Sequence, residues 1–414
     1  MNYKTLVRIF LAIILILYLI SCSSTRKYVI TDYGAVADSS VVNTEAIQKT
    51  IDKCAKEGGG TVVVPQGVFR SGALFFKQDV NLYIQEGGVL KGTVDEADYP
   101  VVDTRWEGIE RKWSSAFINA FELDGFKITG KGTIDGSGVE WLNYRKWQEL
   151  EAGRPRLIAV QNCQYVEISD FSIKNQACWG VFILYSKNVE IKNLTIRAAH
   201  NIPMSDGIDL DSSTEVHVIG CDIDVNDDCV AIKSGKDEDG RRVGKPAQKI
   251  LVEKCRFRYG HGGVSMGSEM SGGIRNVEVR NCVMEEGNWA PIRFKSQPSR
   301  GGVVENITYR DLKLKNVRRA FEFNMEWRMR PPIKPPSDPL PVVRNIKIIN
   351  VSGNAEEVGF MHGLKKSPIK NVTFKNCNIQ AEKGFVLENV EGLDLSGLEL
   401  EVEKDEAIIR RNAK

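Results

Sequence analysis

The chain is expected to be all-β, folded as a single-stranded right-handed parallel β-helix whose N-terminal end is closed by a capping helix. Three observations lead there. First, one pattern recurs from Cys163 onward: an alternating apolar run, a short polar step and a second alternating run. Examples are Val166-Glu167-Ile168…Phe171-Ser172-Ile173 and Val189-Glu190-Ile191…Leu194-Thr195-Ile196. Further copies start at Val216, Ile250, Val277, Ile307, Ile346, Val372 and Leu393, giving intervals of 23, 27, 34, 27, 30, 39, 26 and 21 residues counted from Val166. A constant core with inserts of changing length marks a solenoid. Second, the apolar period inside each copy is two, which excludes helices as the repeating unit. Third, Asn193, Gly220, Asn281 and Asn376 stand at the corners, where tight bends need residues tolerant of left-handed backbone. A β-propeller is the competing architecture, but its repeat is longer and more regular, and this chain holds more copies than a propeller has blades.

The elements follow in order. Lys4 and Arg8 precede an apolar run, Phe10 to Ile20, that is too short to span a bilayer comfortably and suits a secretory h-region. It ends in Leu19-Ile20-Ser21-Cys22, which resembles a bacterial lipobox. Residues 1–21 are therefore expected to be a lipoprotein signal peptide, Cys22 the lipidated first mature residue, and 22–27 a short tether. An uncleaved anchor is the alternative. The expected location is the bacterial cell envelope, lipid-anchored and facing the periplasm. Asn43 to Lys56 reads as an amphipathic helix with apolar Ala46, Ile47, Ile51 and Ala55, suited to covering the open end of a solenoid. Gly58-Gly59-Gly60 and the strand Thr61 to Val64 follow it, and Gly130 to Gly136 reads as a tight coil corner. One solenoid domain over 28–405 and a C-terminal tail over 406–414 account for the remainder. The run Pro331 to Pro336 reads as a stiff surface loop rather than a linker. Cys221, Cys255, Cys282 and Cys377 share one position in the repeat, where thiols act as small core residues. The neighbouring position holds Asn193, Asn281, Asp311 and Asn376, expected to cap turns.

A net charge of +2 over 414 residues leaves no global basic field for nucleic acid. The nine cysteines form no C-x-x-C pattern, so neither a structural metal nor a cofactor is expected. Chemistry concentrates in four polar clusters: Ser205-Asp206-Gly207, Asn226-Asp227-Asp228-Cys229, Gly260-His261-Gly262 and Arg293-Phe294-Lys295. Asp206 and Asp227 lie 21 residues apart, roughly one coil, so adjacent turns bring carboxylates into one cleft at a strand spacing of about 4.8 Å. Such a set suits acid/base hydrolysis of a glycosidic bond, since mutual repulsion keeps one carboxyl protonated. His261, between glycines, is expected to hydrogen-bond the general acid or a sugar hydroxyl. Arg293 and Lys295 point to the same face of a strand with no acidic partner nearby in sequence, which suits an anionic substrate. Asp209 and Asp211 read as turn caps.

The ordered set resembles glycoside hydrolase family 28, the polygalacturonases, with their N-T-D, D-D, G-H-G and R-I-K clusters. The likeness runs from about Thr31 through the last coil, including Gly132-Thr133-Ile134-Asp135-Gly136. Met204-Ser205 stands in place of Asn-Thr, and Phe294 in place of the isoleucine between the cations. The resemblance implies a pectin-lyase-like solenoid and inverting hydrolysis of α-galacturonosidic bonds. It casts Asp227 as proton donor, Asp206 and Asp228 as activators of water, and Arg293 and Lys295 as substrate-binding residues. Inverting enzymes hold acid and base about 6.5–9.5 Å apart to admit that water. In some relatives the cysteine after D-D is bridged; here Cys255 is the nearest candidate to pair with Cys229.

The expected partner is a galacturonate-containing oligo- or polysaccharide, handled by a monomer without metal. An endo-polygalacturonase, a rhamnogalacturonan hydrolase, a Ca²⁺-dependent lyase on the same fold and a non-catalytic adhesin are the competing readings. Exo attack is favoured by the anchored location, by the inserts at 236–245 and 328–341, and by the likeness of His261-Gly262-Gly263…Gly267-Ser268-Glu269 to exo-acting relatives.

Overall fold

The computed structural model describes residues 26–144, 149–328, 334–404 and 406–413. The signal segment, Cys22 and Pro331 to Ile333 of the proline-rich loop lie outside the described residues. Parallel strands pair into one 30-stranded sheet that winds as a right-handed β-helix. Each coil sits on the next in the register of the sequence repeat. Val166 lies beside Val189, Val189 beside Val216, Val216 beside Ile250 and Ile250 beside Val277. The column continues through Ile307, Ile346 and Val372 to Leu393. A one-residue slip would turn every apolar side chain of a coil outward, so this column specifies the winding. Coils also precede the recognisable repeats: Tyr28, Val62, Leu82, Ile128 and Ile168 form one continuous column.

The helix Thr44–Lys56 caps the N-terminal end as expected, burying Ile47, Thr50, Ile51 and Cys54. Ala46 and Ala55 are half-buried at the flanks of that stripe. At the Gly130 corner (φ +135°) a Cβ would stand 2.0 Å from the Ile84 carbonyl oxygen, so no side chain fits. Cys221, Cys255 and Cys282 are buried on successive coils, and Leu312 and Val351 fill the column before Cys377. The corner asparagines form ladders. Asn350 Nδ2 donates to Asp311 Oδ1 at 2.8 Å, and Asn376 Nδ2 donates to Asn350 Oδ1 at 2.8 Å. These residues hold left-handed backbone (φ 57°, 53° and 51° for Asp311, Asn350 and Asn376), so each amide both relieves the corner and links coils.

Three features differ from expectation. Residues 406–414 are not a tail throughout: Ile408–Ala413 is a strand paired with 385–390, continuing the solenoid because Ile408 stacks on Phe385. An antiparallel hairpin, Val101–Trp106 with Ile109–Ser114, stands outside the winding. Its tryptophans pack on a second, smaller apolar cluster around Trp179 and Phe182. Finally, Cys229 and Cys255 are both free thiols, as are all eight described cysteines, so that bridge is not made.

Candidate active site

One face of the solenoid carries the four clusters. Its strands are Val181–Leu184, Ile208–Asp211, Asp228–Lys233, Gly260–Met266 and Asn288–Lys295, stacked in that order. Along each, side chains alternate between the core and the outer face, which the cleft's own side chains cover. Ile208, Val230, Val264 and Ile292 point in. Asp209, Ala231, Ser265 and Arg293 form one outward column, continued by Glu322. Lys233 and Lys295 share the next outward column, with Gly267 between them. Just before these strands the chain turns onto the face, and there Asp206 and Asp228 fall on the same rung of neighbouring coils. Asp227 precedes Asp228, whose amide donates to Asp227 Oδ1 at 3.0 Å. Gly262 sits opposite Asp228; a Cβ there would lie 2.5 Å from Asp228 Oδ1, so the second glycine of Gly260-His261-Gly262 makes room for the carboxylate.

The carboxylates have distinct electrostatic settings. Asp228 is 1% exposed, with Lys295 Nζ 2.5 Å from Oδ2 and Arg293 Nη1 3.2 Å from Oδ1. Burial alone would raise its pKa, but these two cations outweigh it and hold Asp228 well below the usual carboxylate range. Asp206 is shifted the other way: burial, then the negative charges of Asp209 and Asp227, push it well above that range despite Lys233 at 3.7 Å. Asp227 is the member that faces open space, with a side chain 28% exposed. His261 Nδ1 lies 3.4 Å from Asp227 Oδ1, and the imidazole packs on Trp289 with ring centres 4.3 Å apart. His261 thus stands beside this carboxyl, at a separation longer than the hydrogen bond expected between them.

Two sequence-based assignments need correction. Arg293 and Lys295 share a face as expected, but they are not unpartnered cations. They bind Asp228, and Arg293 Nε also donates to Glu322 at 2.9 Å. The partners come from other coils, which local sequence cannot reveal. Nor are Asp209 and Asp211 turn caps; both are buried on the strand Ile208–Asp211. Asp209 Oδ1 is 2.6 Å from Lys233 Nζ, while Asp211 Oδ1 is 2.7 Å from buried Arg105 Nη1. Burial pushes Asp209 up to about 6 even with Lys233 beside it.

Lys233 is the main site residue that the sequence reading missed. It is 4% exposed, and its ammonium lies 3.7 Å from the centre of the Trp179 ring. Its signal was its place at the end of Asp228–Lys233, in the column later occupied by Lys295. The cleft, about 350 Å³, is bounded by three indoles, Trp179, Trp289 and Trp327, with Glu269 and Ser268 beside Lys233. Trp179 is itself braced by the hairpin, since Trp106 stacks on Trp113 at 4.1 Å and on Trp179 at 4.6 Å. The hairpin tip docks on the insert containing the helix Asp237–Val243, where the Lys236 amide donates to the Gly108 carbonyl at 2.8 Å. Glu107, at that tip, also lines the cleft.

Asp206, Asp227 and Asp228 each offer a carboxylate oxygen within 4.8 Å of the others. Such oxygens could converge on a hard cation. Lys233, Arg293 and Lys295 already supply positive charge to Asp206 and Asp228, so the donor set does not call for a metal. The nearest oxygens are closer than the about 6.5–9.5 Å carboxyl spacing expected of an inverting pair. A water donating to two of these oxygens at about 2.8 Å each still bridges this separation.

The model of "Glycosyl hydrolases family 28" matches residues 54–397. A probable polygalacturonase of Vitis vinifera is 30% identical over 372 residues, covering 87% of this chain and 75% of that protein. An endo-polygalacturonase of Pectobacterium carotovorum subsp. carotovorum is 29% identical over 376 residues, covering 86% and 88%. Among solved structures, the hyperthermoactive exopolygalacturonase of Thermotoga maritima superposes with a TM-score of 0.80 at 29% identity, over 91% of this chain and 92% of that one.

Proposed function

The chain belongs to glycosyl hydrolase family 28 and is a glycoside hydrolase, and from that premise we propose that it hydrolyses α-glycosidic bonds of galacturonic acid in pectin-derived oligosaccharides. The observation that carries the reading is the convergence of Asp206, Asp227 and Asp228 beside Lys233, Arg293 and Lys295 in one aromatic-walled cleft. Asp227 is the proton donor, because its carboxyl faces the cleft while Asp206 and Asp228 lie behind it. Asp206 and Asp228 hold and activate the attacking water, giving inversion. Lys295 and Arg293 keep Asp228 ionised and, having further N–H donors, share a galacturonate carboxylate with it. The raised pKa of Asp206 favours a second assignment, in which the proton starts on Asp206 and the three carboxyls titrate as one unit. Asp227→Asn and Asp206→Asn separate the two. Loss of the basic limb of the pH–rate profile with Asp206→Asn, but retention of turnover with Asp227→Asn, would move the donor role to Asp206.

Exo attack is part of the proposal. Glu107, at the tip of the hairpin that docks on the insert at 236–243, lines the cleft, and a wall on that side suits removal of terminal residues. Relatives of both modes are similar to this chain, so the test is a product time course on defined oligogalacturonates. Monomer as the sole early product, released as the β-anomer in ¹H NMR, supports exo-acting inversion. A spread of early lengths assigns endo attack, and an α-anomer assigns retention. The protein is further proposed to act as a monomer tethered through Cys22 in the cell envelope. Detergent-phase partitioning that survives Cys22→Ser would overturn the lipid anchor.

A further inference from the structure

A second and larger groove, about 790 Å³, adjoins the catalytic cleft across Trp289, which lines both. It runs over the turns of later coils, from Trp289 past Arg318 and Ala355 to Ala381 and Glu403. Four coil steps at about 4.8 Å each make it roughly 19 Å long, enough for a short oligosaccharide. Trp289 is 37% exposed. It packs on His261 towards the catalytic trio, while the Arg318 guanidinium lies 5.1 Å from its ring centre. Arg318 is exposed, and among the described residues no carboxylate is in ion-pair distance of it. Its neighbour Arg319, by contrast, is bound to Glu357 and Glu322. Asn316, Asn354 and Gln380 line the groove wall, with Asn354 bonded to Asn316 and Gln380 to Glu401, and carboxylates flank Arg318: Glu286 beside Trp289, then Glu356, Glu382 (paired with Lys404) and Glu403 further along.

An exposed indole suits the apolar face of a pyranose, amides suit its hydroxyls, and an unpaired guanidinium suits one carboxylate. Resting on the galacturonate reading above, we propose that this groove binds the saccharide beyond the scissile bond, with Arg318 taking a single uronate carboxylate and the glutamates past it selecting uncharged sugar residues. Arg293 and Lys295 serve the carboxylate at the scissile bond together with Asp228, so Arg318, with no carboxylate in ion-pair distance among the described residues, supplies the next counter-charge along the groove. A second or third uronate further along would meet carboxylates of its own sign.

The test uses the full mature chain with oligogalacturonates of increasing length and with their neutral-sugar-substituted counterparts. Arg318→Gln is expected to raise KM about tenfold while kcat stays within about twofold, and Arg318→Lys to recover part of the loss. Glu356→Gln combined with Glu403→Gln is expected to improve kcat/KM for the longest oligogalacturonates and leave neutral-substituted ones unchanged. An unchanged KM in Arg318→Gln, a loss confined to kcat, or equal effects of the glutamate changes on both substrate sets would overturn the inference. Wild-type protein that hydrolyses no galacturonate substrate would remove the underlying function, a result distinct from hydrolysis that ignores Arg318.

Discussion

Replacing Lys233 by methionine probes the electrostatic floor of the cleft. Lys233 Nζ is 2.6 Å from Asp209 Oδ1, and both side chains are buried, at 5% and 0% exposure. With the ammonium present, burial holds Asp209 at about 6. Without it, a buried unpaired carboxyl reaches about 8–9. Sign matters here. A carboxyl whose folded pKa is raised contributes stability below its unfolded pKa and loses it as pH climbs to the folded value. In the wild type that loss stops near pH 6; in Lys233→Met it continues to higher pH. The variant is therefore expected to match the wild type near pH 5 and to fall behind by about 1.4 kcal/mol per pH unit above 6, reaching about 3 kcal/mol at pH 8. That figure agrees with the about 3–5 kcal/mol cost of breaking a buried pair from one side. Urea unfolding at pH 5, 6, 7 and 8 measures it, with Lys233→Met/Asp209→Leu as the companion that removes both charges. A stability difference independent of pH would refute the assignment of Asp209 as a group Lys233 neutralises; the double variant is expected to keep only the smaller pH dependence that Asp206 and Glu269, the other carboxyls beside Lys233, contribute.

Asp227→Asn should lower kcat by about 10²–10⁴-fold with an unchanged unfolding midpoint, because a general acid acts in the transition state; near-normal turnover would contradict it. Lys295→Met should shift the acidic limb of the kcat/KM profile to higher pH. Asp228 is depressed by Lys295 and Arg293, so its stabilising contribution, present above the ordinary carboxylate pKa and lost as pH falls through the folded value, also shrinks; an unmoved acidic limb counts against this pairing. Reducing-sugar release should persist in excess EDTA, whereas loss on chelation with recovery on adding a divalent cation would reassign the trio to a metal. Asn350→Ala should cost about 2 kcal/mol, from left-handed strain and two lost ladder hydrogen bonds, measured by thermal unfolding of a variant that stays fully active.

The winding was legible in the sequence because its cause is periodic. The column from Val166 to Leu393 repeats an apolar residue wherever a coil must enter the core, and stacking in register follows from burying that column. The capping helix was legible for the same reason, through the spacing of Ile47 and Ile51. The carboxylates, His261 and the two cations were legible as motifs, since catalysis constrains residue type. Partner choice was not. Whether Arg293 and Lys295 face substrate or Asp228 depends on which side chains sit one or two coils away, and intervals that vary from 21 to 39 residues between repeat starts hide those neighbours. Asp209 looked like a turn residue because an aspartate in a strand is unfavourable alone. Lys233, delivered by the next coil, makes it tolerable. The hairpin Val101–Trp106 with Ile109–Ser114 was hidden as well: its tryptophans gain stability only by stacking on Trp179, some 70 residues later in the chain. Sequence alone determined the coil, because local period and core burial are the same fact seen twice. The tertiary structure decided the charges, because the free energy of a buried ion depends on the group across from it, and that group belongs to another turn of the helix.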